Sequence, residues 1–251
     1  MRPEDEFLST FSILTSRKSF YRSISYGRQL LLKEFVKSVS PLLGNRKIIE
    51  VCVVGGYSSE PEIQILRDMG YLIKVTTFGI DHSDHFLDLN VISAYDSDIH
   101  FDLILFSQTL EHIWSHASAF ANISNIAKSK SLLWVSCPTS NRFHGSPDYY
   151  SAGFMPEYLE KNLEEFGFST LSSGKAGSVR NYLATHLLPY WLSVKAHFFP
   201  LSVGAESYQP KSRVMMGIIT FPVRFILTFI PGRKTQSPRW ATESWALFIA
   251  K

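Results

Sequence analysis

The feature that most limits how this chain can fold is a set of short apolar runs that do not alternate. KIIEVCVV (47–54), FDLILFS (101–107) and SLLWVSCP (131–138) are rich in aliphatic and β-branched residues and carry few polar side chains. A strand with one wet face alternates polar and apolar residues. A strand covered on both faces reads as a near-continuous apolar run, the mark of a parallel sheet between helices.

The intervening segments agree with that reading. YGRQLLLKEFVKSVS (26–40) brings Leu30, Leu31, Phe35 and Val39 near one helical face, and Pro41 and Gly44 are expected to end it. EPEIQILRDMG (60–70) spaces Ile63, Leu66 and Met69 as a helix stopped by Gly70. Residues 115–128 read as a further helix. PEYLEKNLEEFGF (156–168) opens on proline, presents Tyr158, Leu159, Leu163 and Phe166, and stops at Gly167. YLIKVTTFGI (71–80) reads as a second strand, FLDL (86–89) as a third, FSTLSS (168–173) as a sixth and SWALFIA (244–250) as the last. Strands alternating with helices predict an α/β fold: a mainly parallel seven-stranded sheet with helices on both faces. The expected organisation is an arm and helix over 1–45, a core over 46–174, a helical insertion over 175–242, and a closing strand over 243–251.

Composition narrows the function classes. The chain has 251 residues, 45% hydrophobic and 19% charged, with a formal charge of +3. That balance suits a globular protein and is too weakly basic for a nucleic-acid footprint, so no nucleic-acid partner is expected. Cys52 and Cys137 both lie in apolar runs and read as buried thiols in a reducing compartment. MRPEDEFLST is acidic and has no long apolar stretch, so no secretory signal is read and a cytoplasmic location is expected.

In open α/β sheets, ligands sit beyond the carboxyl ends of the strands. Every polar cluster here falls there: Gly55, Gly56, Tyr57, Ser58 and Ser59 after strand one; Asp81 to His85 after strand two; Asp88, Leu89 and Asn90 after strand three; Ser107, Gln108, Glu111 and His112 after strand four; residues 138–150 after strand five. Each also has a plainer reading. The glycines fit a tight turn, and the Asp-His loop of 81–85 fits a solvated surface. The G-x-G-x-x-G fingerprint is absent, which argues against nicotinamide and flavin cofactors.

FDLILFSQTLEHI (101–113) resembles the segment at the fourth strand of class I S-adenosylmethionine-dependent methyltransferases, where an apolar strand beginning Phe-Asp leads through a short turn into Leu-Glu-His. VVGGYSSE (53–60) is similar to the glycine-rich first motif of that family, residues 138–168 to the stretch after its fifth strand, and SWALFIA to its closing antiparallel strand. The resemblance implies a Rossmann-like fold, S-adenosylmethionine as cofactor, and these roles. Gly55, Gly56 and Tyr57 would let the backbone approach the methionine part. Asp81 would accept from the ribose hydroxyls. Asp88 and Leu89 would lie near the adenine, and Ser107 and Gln108 would line the floor. Glu111 and His112 would face the substrate, His112 as base, with His144 and Asp148 as further candidates from across the cleft. Two departures stand out: Val53 occupies the position of an acidic residue of the family, and the first loop lacks a third glycine.

The resemblance is closest to small-molecule and sugar methyltransferases of bacterial surface-polysaccharide pathways. It implies O-methylation of a sugar hydroxyl or a lipid-linked glycan. A non-catalytic methyltransferase-like binding module is the competing reading, favoured by Val53. Some relatives use Glu-x-x-Glu-His around a divalent ion; Gln108 replaces the first glutamate, so no metal site is expected, although His112 and His116 have helical ligand spacing. Before the closing strand, about 70 residues form an insertion longer than a connection needs. Its apolar blocks, 182–201 and 214–231, with Lys211, Arg213, Arg233 and Lys234 beside the second, read as a helical cap, as a contact with a second copy in a homodimer, or as a peripheral element spanning 182–234 at the inner face of a membrane.

Overall fold

The computed structural model describes residues 26–93, 95, 99–140, 148–177, 182 and 238–251. In chain order these form α1 (Tyr26–Leu43), β1 (Ile48–Val54), α2 (Pro61–Asp68), β2 (Leu72–Gly79), β3 (His85–Phe86), β4 (Leu103–Ser107), α3 (His116–Ile126), β5 (Leu132–Pro138), α4 (Pro156–Glu165), β6 (Phe168–Gly177) and β7 (Ala241–Ala250), with 3-10 turns at Leu110–His112 and Pro238–Trp240. The seven strands lie in the order β3-β2-β1-β4-β5-β7-β6. The pairs among β1 to β5 are parallel. The amide of Ala250 bonds the Ser131 carbonyl and that of Lys251 bonds the Gly167 carbonyl, so β7 ends where β5 and β6 begin and runs against them. This is the Rossmann-like, mainly parallel sheet expected from the apolar runs.

β4 and β5 are buried at every residue. On one side of the sheet Phe106, Phe120, Phe168 and Phe248 join a single apolar cluster. Elsewhere Phe35 of α1 meets the edge of Trp134 at 5.2 Å, and Trp134 stacks on Trp245 at 5.3 Å. Both cysteines are buried, and neither forms a disulfide. The chain divides into two compact units: residues 32–175 with 244–251, and residues 1–31 with 176–243. The first holds all the clusters at the carboxyl ends of β1 to β5. In the second, the ring of Tyr182 meets Trp240 edge-on at 5.1 Å. Apart from Tyr182, the apolar blocks of 182–234 lie outside the described residues. Among the described residues no helix is long and apolar enough to cross a membrane.

Three local expectations change. Pro41 sits inside α1 rather than ending it. A proline near the carboxyl end breaks one bond of an already fraying turn. Gly44, left-handed at φ +61°, then closes the helix by bonding its amide to the Ser40 carbonyl. The third strand is only His85–Phe86, because the Asp88 carboxylate accepts the Asn90 amide and turns the chain. β6 and β7 are each longer than FSTLSS and SWALFIA, ten residues apiece.

The chain beyond β3 is held on α3 by two asparagines: Asn125 donates to the Ser93 carbonyl at 2.9 Å, and Asn122 makes two more bonds. Asn122 of α3, 1% exposed, accepts the Ser93 amide at 2.7 Å and donates to the Val91 carbonyl at 2.9 Å. Asn122→Ala strands both groups and is expected to cost about 2 kcal/mol. Urea denaturation reads the loss, and an effect within experimental error would show that the loop holds itself.

Candidate functional site

β1 lies between β2 and β4, so strand order reverses there, and the loops after β1 and β4 meet at the switch point. Gly55 takes φ +70° as β1 ends, and its amide bonds the Phe78 carbonyl at 2.8 Å. A Cβ at Gly55 would lie 2.3 Å from the Thr109 methyl. Only glycine meets both demands. The Thr109 hydroxyl is shared between the carbonyls of Gly55 at 3.2 Å and Ser107 at 3.1 Å, tying the ends of β1 and β4 together. A Cβ at Gly56 would meet the Glu60 carboxylate at 2.8 Å, and that carboxylate accepts the Tyr57 amide. The side chain of Tyr57 is exposed.

Ser107 is buried, and its hydroxyl donates to the buried carboxylate of Glu62 at 3.1 Å. Gln108 follows in the left-handed region at φ 54°, its amide bonded to the Ser136 carbonyl at 2.7 Å. A non-glycine residue held there marks a position the surroundings over-determine. Asp81 lies exposed, two residues beyond the end of β2. Asp84, in the same loop, is structural: it accepts both the amide and the hydroxyl of Thr77, at 2.8 and 2.9 Å. Those bonds hold its carboxyl below the ordinary carboxylate range. The loop of 81–85 is therefore more than a solvated surface. Asp88 is half-buried and Leu89 buried. Asn90 then accepts the amides of Trp114 and Ser115, joining the loop after β3 to the entry of α3.

Glu111 and His112 stand on the 3-10 turn beyond β4. Glu111 is buried, and its carbonyl accepts the amides of Tyr150 and Ser151. His112 Nδ1 bonds the Asp148 carbonyl. A carbonyl only accepts, so Nδ1 carries the proton and Nε2 is the basic atom of the neutral ring. Nε2 lies 4.0 Å from the Glu111 carboxylate. The ring of Tyr149 meets the His112 ring edge-on at 6.0 Å, and its phenol is pushed up by burial and then by the Glu111 charge. The return of this loop is fixed at its base. The Phe154 amide bonds the Pro138 carbonyl at 2.8 Å, and a Cβ at Gly153 would strike the Thr139 backbone. His144 lies outside the described residues.

The structure therefore brings together Gly55 with the end of β4, and Glu111 and His112 with Asp148. It separates His112 from His116. The turn ends at His112, α3 begins at His116, and the His116 ring bonds the Tyr158 hydroxyl at 2.9 Å against Phe154. Burial lowers the pKa of His116. Among the described residues no three histidine, cysteine or acidic side chains gather as metal ligands. Thr109, Glu62 and Tyr149 are the residues that sequence reasoning missed, and the structural role of Asp84 within the 81–85 loop was not foreseen. Only Tyr149 carried a signal, by its place beside Asp148.

No protein-family model and no curated protein matches the chain. Solved structures do. One is assigned provisionally as a sarcosine dimethylglycine methyltransferase from Galdieria sulphuraria; it is 12% identical, with 98% of each chain covered and a TM-score of 0.52. Another is the [4+2]-cyclase SpnF, 14% identical, with 91% of this chain and 84% of that one covered and a TM-score of 0.50. At such identities the likeness establishes the fold, and these two proteins carry different chemistries on it.

Two outcomes follow from the geometry. Asp84 has a depressed pKa, so its grip on Thr77 is complete at neutral pH and is lost as pH falls through that depressed value. The Thr77 amide shift is expected to titrate with a midpoint below the ordinary aspartate range, and to lose that titration in Asp84→Asn; a midpoint at the ordinary value contradicts the bond. Imidazole-nitrogen NMR should find His112 protonated on Nδ1. Tyr149→Phe should keep that tautomer and Tyr149→Ala should mix it. An unmixed tautomer in Tyr149→Ala would mean that Asp148 alone orients the ring.

Proposed function

We propose that the chain is an S-adenosylmethionine-dependent O-methyltransferase whose acceptor is a sugar hydroxyl or a lipid-linked glycan of a surface-polysaccharide pathway. The observation that carries the reading is the His112 ring, held by Asp148 with Nε2 as its basic atom, at the rim of a sheet whose first turn is built on an obligatory glycine.

The residues present fit the cofactor. Gly55 and Gly56 let the chain turn tightly against Thr109 and Glu60 at the end of β1, which puts the backbone of the turn at the switch point where ligands of such sheets sit. Gly55, Gly56 and Tyr57 would hold the methionine part, with Ser107 and Gln108 beneath it. Asp81 would accept from the ribose hydroxyls, and Asp88 and Leu89 would border the adenine. When bound, S-adenosylmethionine supplies a methyl already activated for in-line displacement. His112 would take the acceptor's hydroxyl proton on Nε2, the cofactor supplying the methyl and leaving as the neutral thioether, and the Glu111 carboxylate would stabilise the imidazolium. Asp148 keeps the reactive nitrogen aimed. The peripheral position expected for 182–234 suits an acceptor presented at the cytoplasmic face of a membrane.

A non-catalytic binding module is the second reading, and Val53 favours it: the side chain is apolar and buried where the resembling family carries an acid. Titration calorimetry separates the two. S-adenosylhomocysteine is expected to bind with a micromolar Kd, and Gly55→Val to abolish binding. With cofactor bound and acceptor supplied, His112→Ala is expected to lower kcat by about 100-fold or more with little change in cofactor affinity. No binding up to millimolar concentration overturns the cofactor assignment, and unchanged turnover in His112→Ala overturns the base.

A further inference from the structure

The segment EPEIQI (60–65) opens α2 with an acid on each side of Pro61, and the fold treats the two differently. The Glu60 carboxylate turns back on the preceding loop and accepts the Tyr57 amide. Glu62, in the first turn of α2, points inward and is fully buried. The free amides of a helix start favour an acid, but a solvated position supplies that benefit without enclosing the charge. Withdrawing a carboxylate from water is costly, and an uncharged side chain of similar size fills such a place at less cost. The cost points to a use beyond packing.

Where the carboxylate reaches indicates the use. It accepts the Ser107 hydroxyl at 3.1 Å. Ser107 ends β4, and its carbonyl shares the Thr109 hydroxyl with the Gly55 carbonyl. The Glu62–Ser107 pair therefore stands at the switch point, one hydroxyl away from the glycine turn. A serine hydroxyl has a single proton, and a carboxylate only accepts. The Ser107 proton is thus committed to Glu62, and what its oxygen offers any other group is an acceptor. The Thr109 proton is committed in the same way to its two carbonyls. Glu62 keeps none of its surface and Ser107 keeps 7%, so of the pair only Ser107 is open to a ligand. A bond to an ionised partner polarises the hydroxyl and strengthens its oxygen as an acceptor. An acceptor backed by a buried negative charge suits a group that both donates and is cationic.

We propose that Glu62 is a positioning residue for the cofactor: acting through Ser107, it supplies the negative charge that holds the ammonium of the methionine part. The proposal rests on the methyl-transfer reading and adds to it a residue of α2, in a chain whose β1 carries Val53 where the resembling family carries an acid. The carboxylate does not touch the ligand. It sets the lone pairs of the Ser107 oxygen toward the ligand and lends them charge.

The test compares two ligands on the full chain by titration calorimetry. S-adenosylhomocysteine carries the amino-acid group; methylthioadenosine keeps the adenosine and the thioether and lacks that group. Glu62→Gln preserves the size of the side chain and an oxygen that accepts the Ser107 hydroxyl, and removes the charge. It is expected to weaken S-adenosylhomocysteine by about tenfold or more and to leave methylthioadenosine within about twofold. Ser107→Ala is expected to give the same selective loss, and the double variant no more than the larger single loss, because both residues act on one contact. Should Glu62→Gln fail to fold, Ser107→Ala decides by the same comparison. Equal losses for both ligands mark a structural role and overturn the proposal, as does unchanged affinity for S-adenosylhomocysteine. Wild-type protein that binds methylthioadenosine as tightly as S-adenosylhomocysteine holds no ammonium and overturns it too. The two readings stay apart: if the wild type binds neither ligand, the cofactor assignment fails and takes this role with it. If it binds both and the variants lose them alike, only the role of Glu62 fails.

Discussion

The Thr109 hydroxyl, shared between the carbonyls of Gly55 and Ser107, is the contact on which the rest of the site depends. It closes the carboxyl ends of β1 and β4 at the point where strand order reverses, and its methyl occupies the space a side chain at residue 55 would need. The consequences run outward along the chain. With Ser107 and Thr109 pinned, Gln108 is forced into the left-handed region and its amide reaches Ser136 on β5. The 3-10 turn of Leu110–His112 then follows without a linker, so Glu111 and His112 leave the sheet at a fixed angle. The loop after β5 returns onto that turn through Tyr150 and Ser151. A small, largely buried polar side chain thus sets the direction of the only described histidine that faces Asp148.

What the sequence reveals here follows what each residue type must satisfy. The strands are legible because short β-branched apolar runs between helical segments suit a parallel sheet covered on both faces, whereas their order is seen only in the fold. Helix ends are legible where glycine takes positive φ, as at Gly44 and Gly167. FLDL misleads because its Asp88 could pair in a strand or turn the chain, and the nearby Asn90 amide decides for the turn. The site is harder. Glu111 and His112 are visible as a motif, but Glu62 looks like an ordinary first-turn acid of α2, and nothing in its neighbours announces that it is buried on Ser107. Asp84 and Asp81 are alike in sequence. The Thr77 hydroxyl, seven residues earlier, distinguishes them.

Val53 gains a physical rationale from the same contacts. Its side chain is buried, with a methyl 3.0 Å from where a Cβ at Gly56 would stand. Two other carboxylates are already buried nearby in the fold, Glu62 from α2 and Glu111 from the turn. Each ionised group withdrawn from water costs several kcal/mol unless bonded, roughly the whole stability margin of a domain. A third acid at the end of β1 would add to that cost, whereas valine packs there without one.

The net charge of the chain conceals this arrangement. At +3 the protein looks weakly basic, yet among the described residues no lysine or arginine stands in the loops after β1 to β5. Arg46 pairs with Asp102 at 2.9 Å and Lys74 with Glu50 at 2.8 Å, both toward the amino ends of the strands. These exposed pairs contribute little to stability. Their effect is on the field: they place these cations toward the amino ends of the strands rather than in the carboxyl-end loops. A cleft walled by apolar side chains concentrates such a field, attracting cationic ligands and repelling anionic ones, more strongly at low ionic strength. For the cofactor proposed above, such a field would favour the sulfonium, a segregation of charge along the strands that the total conceals.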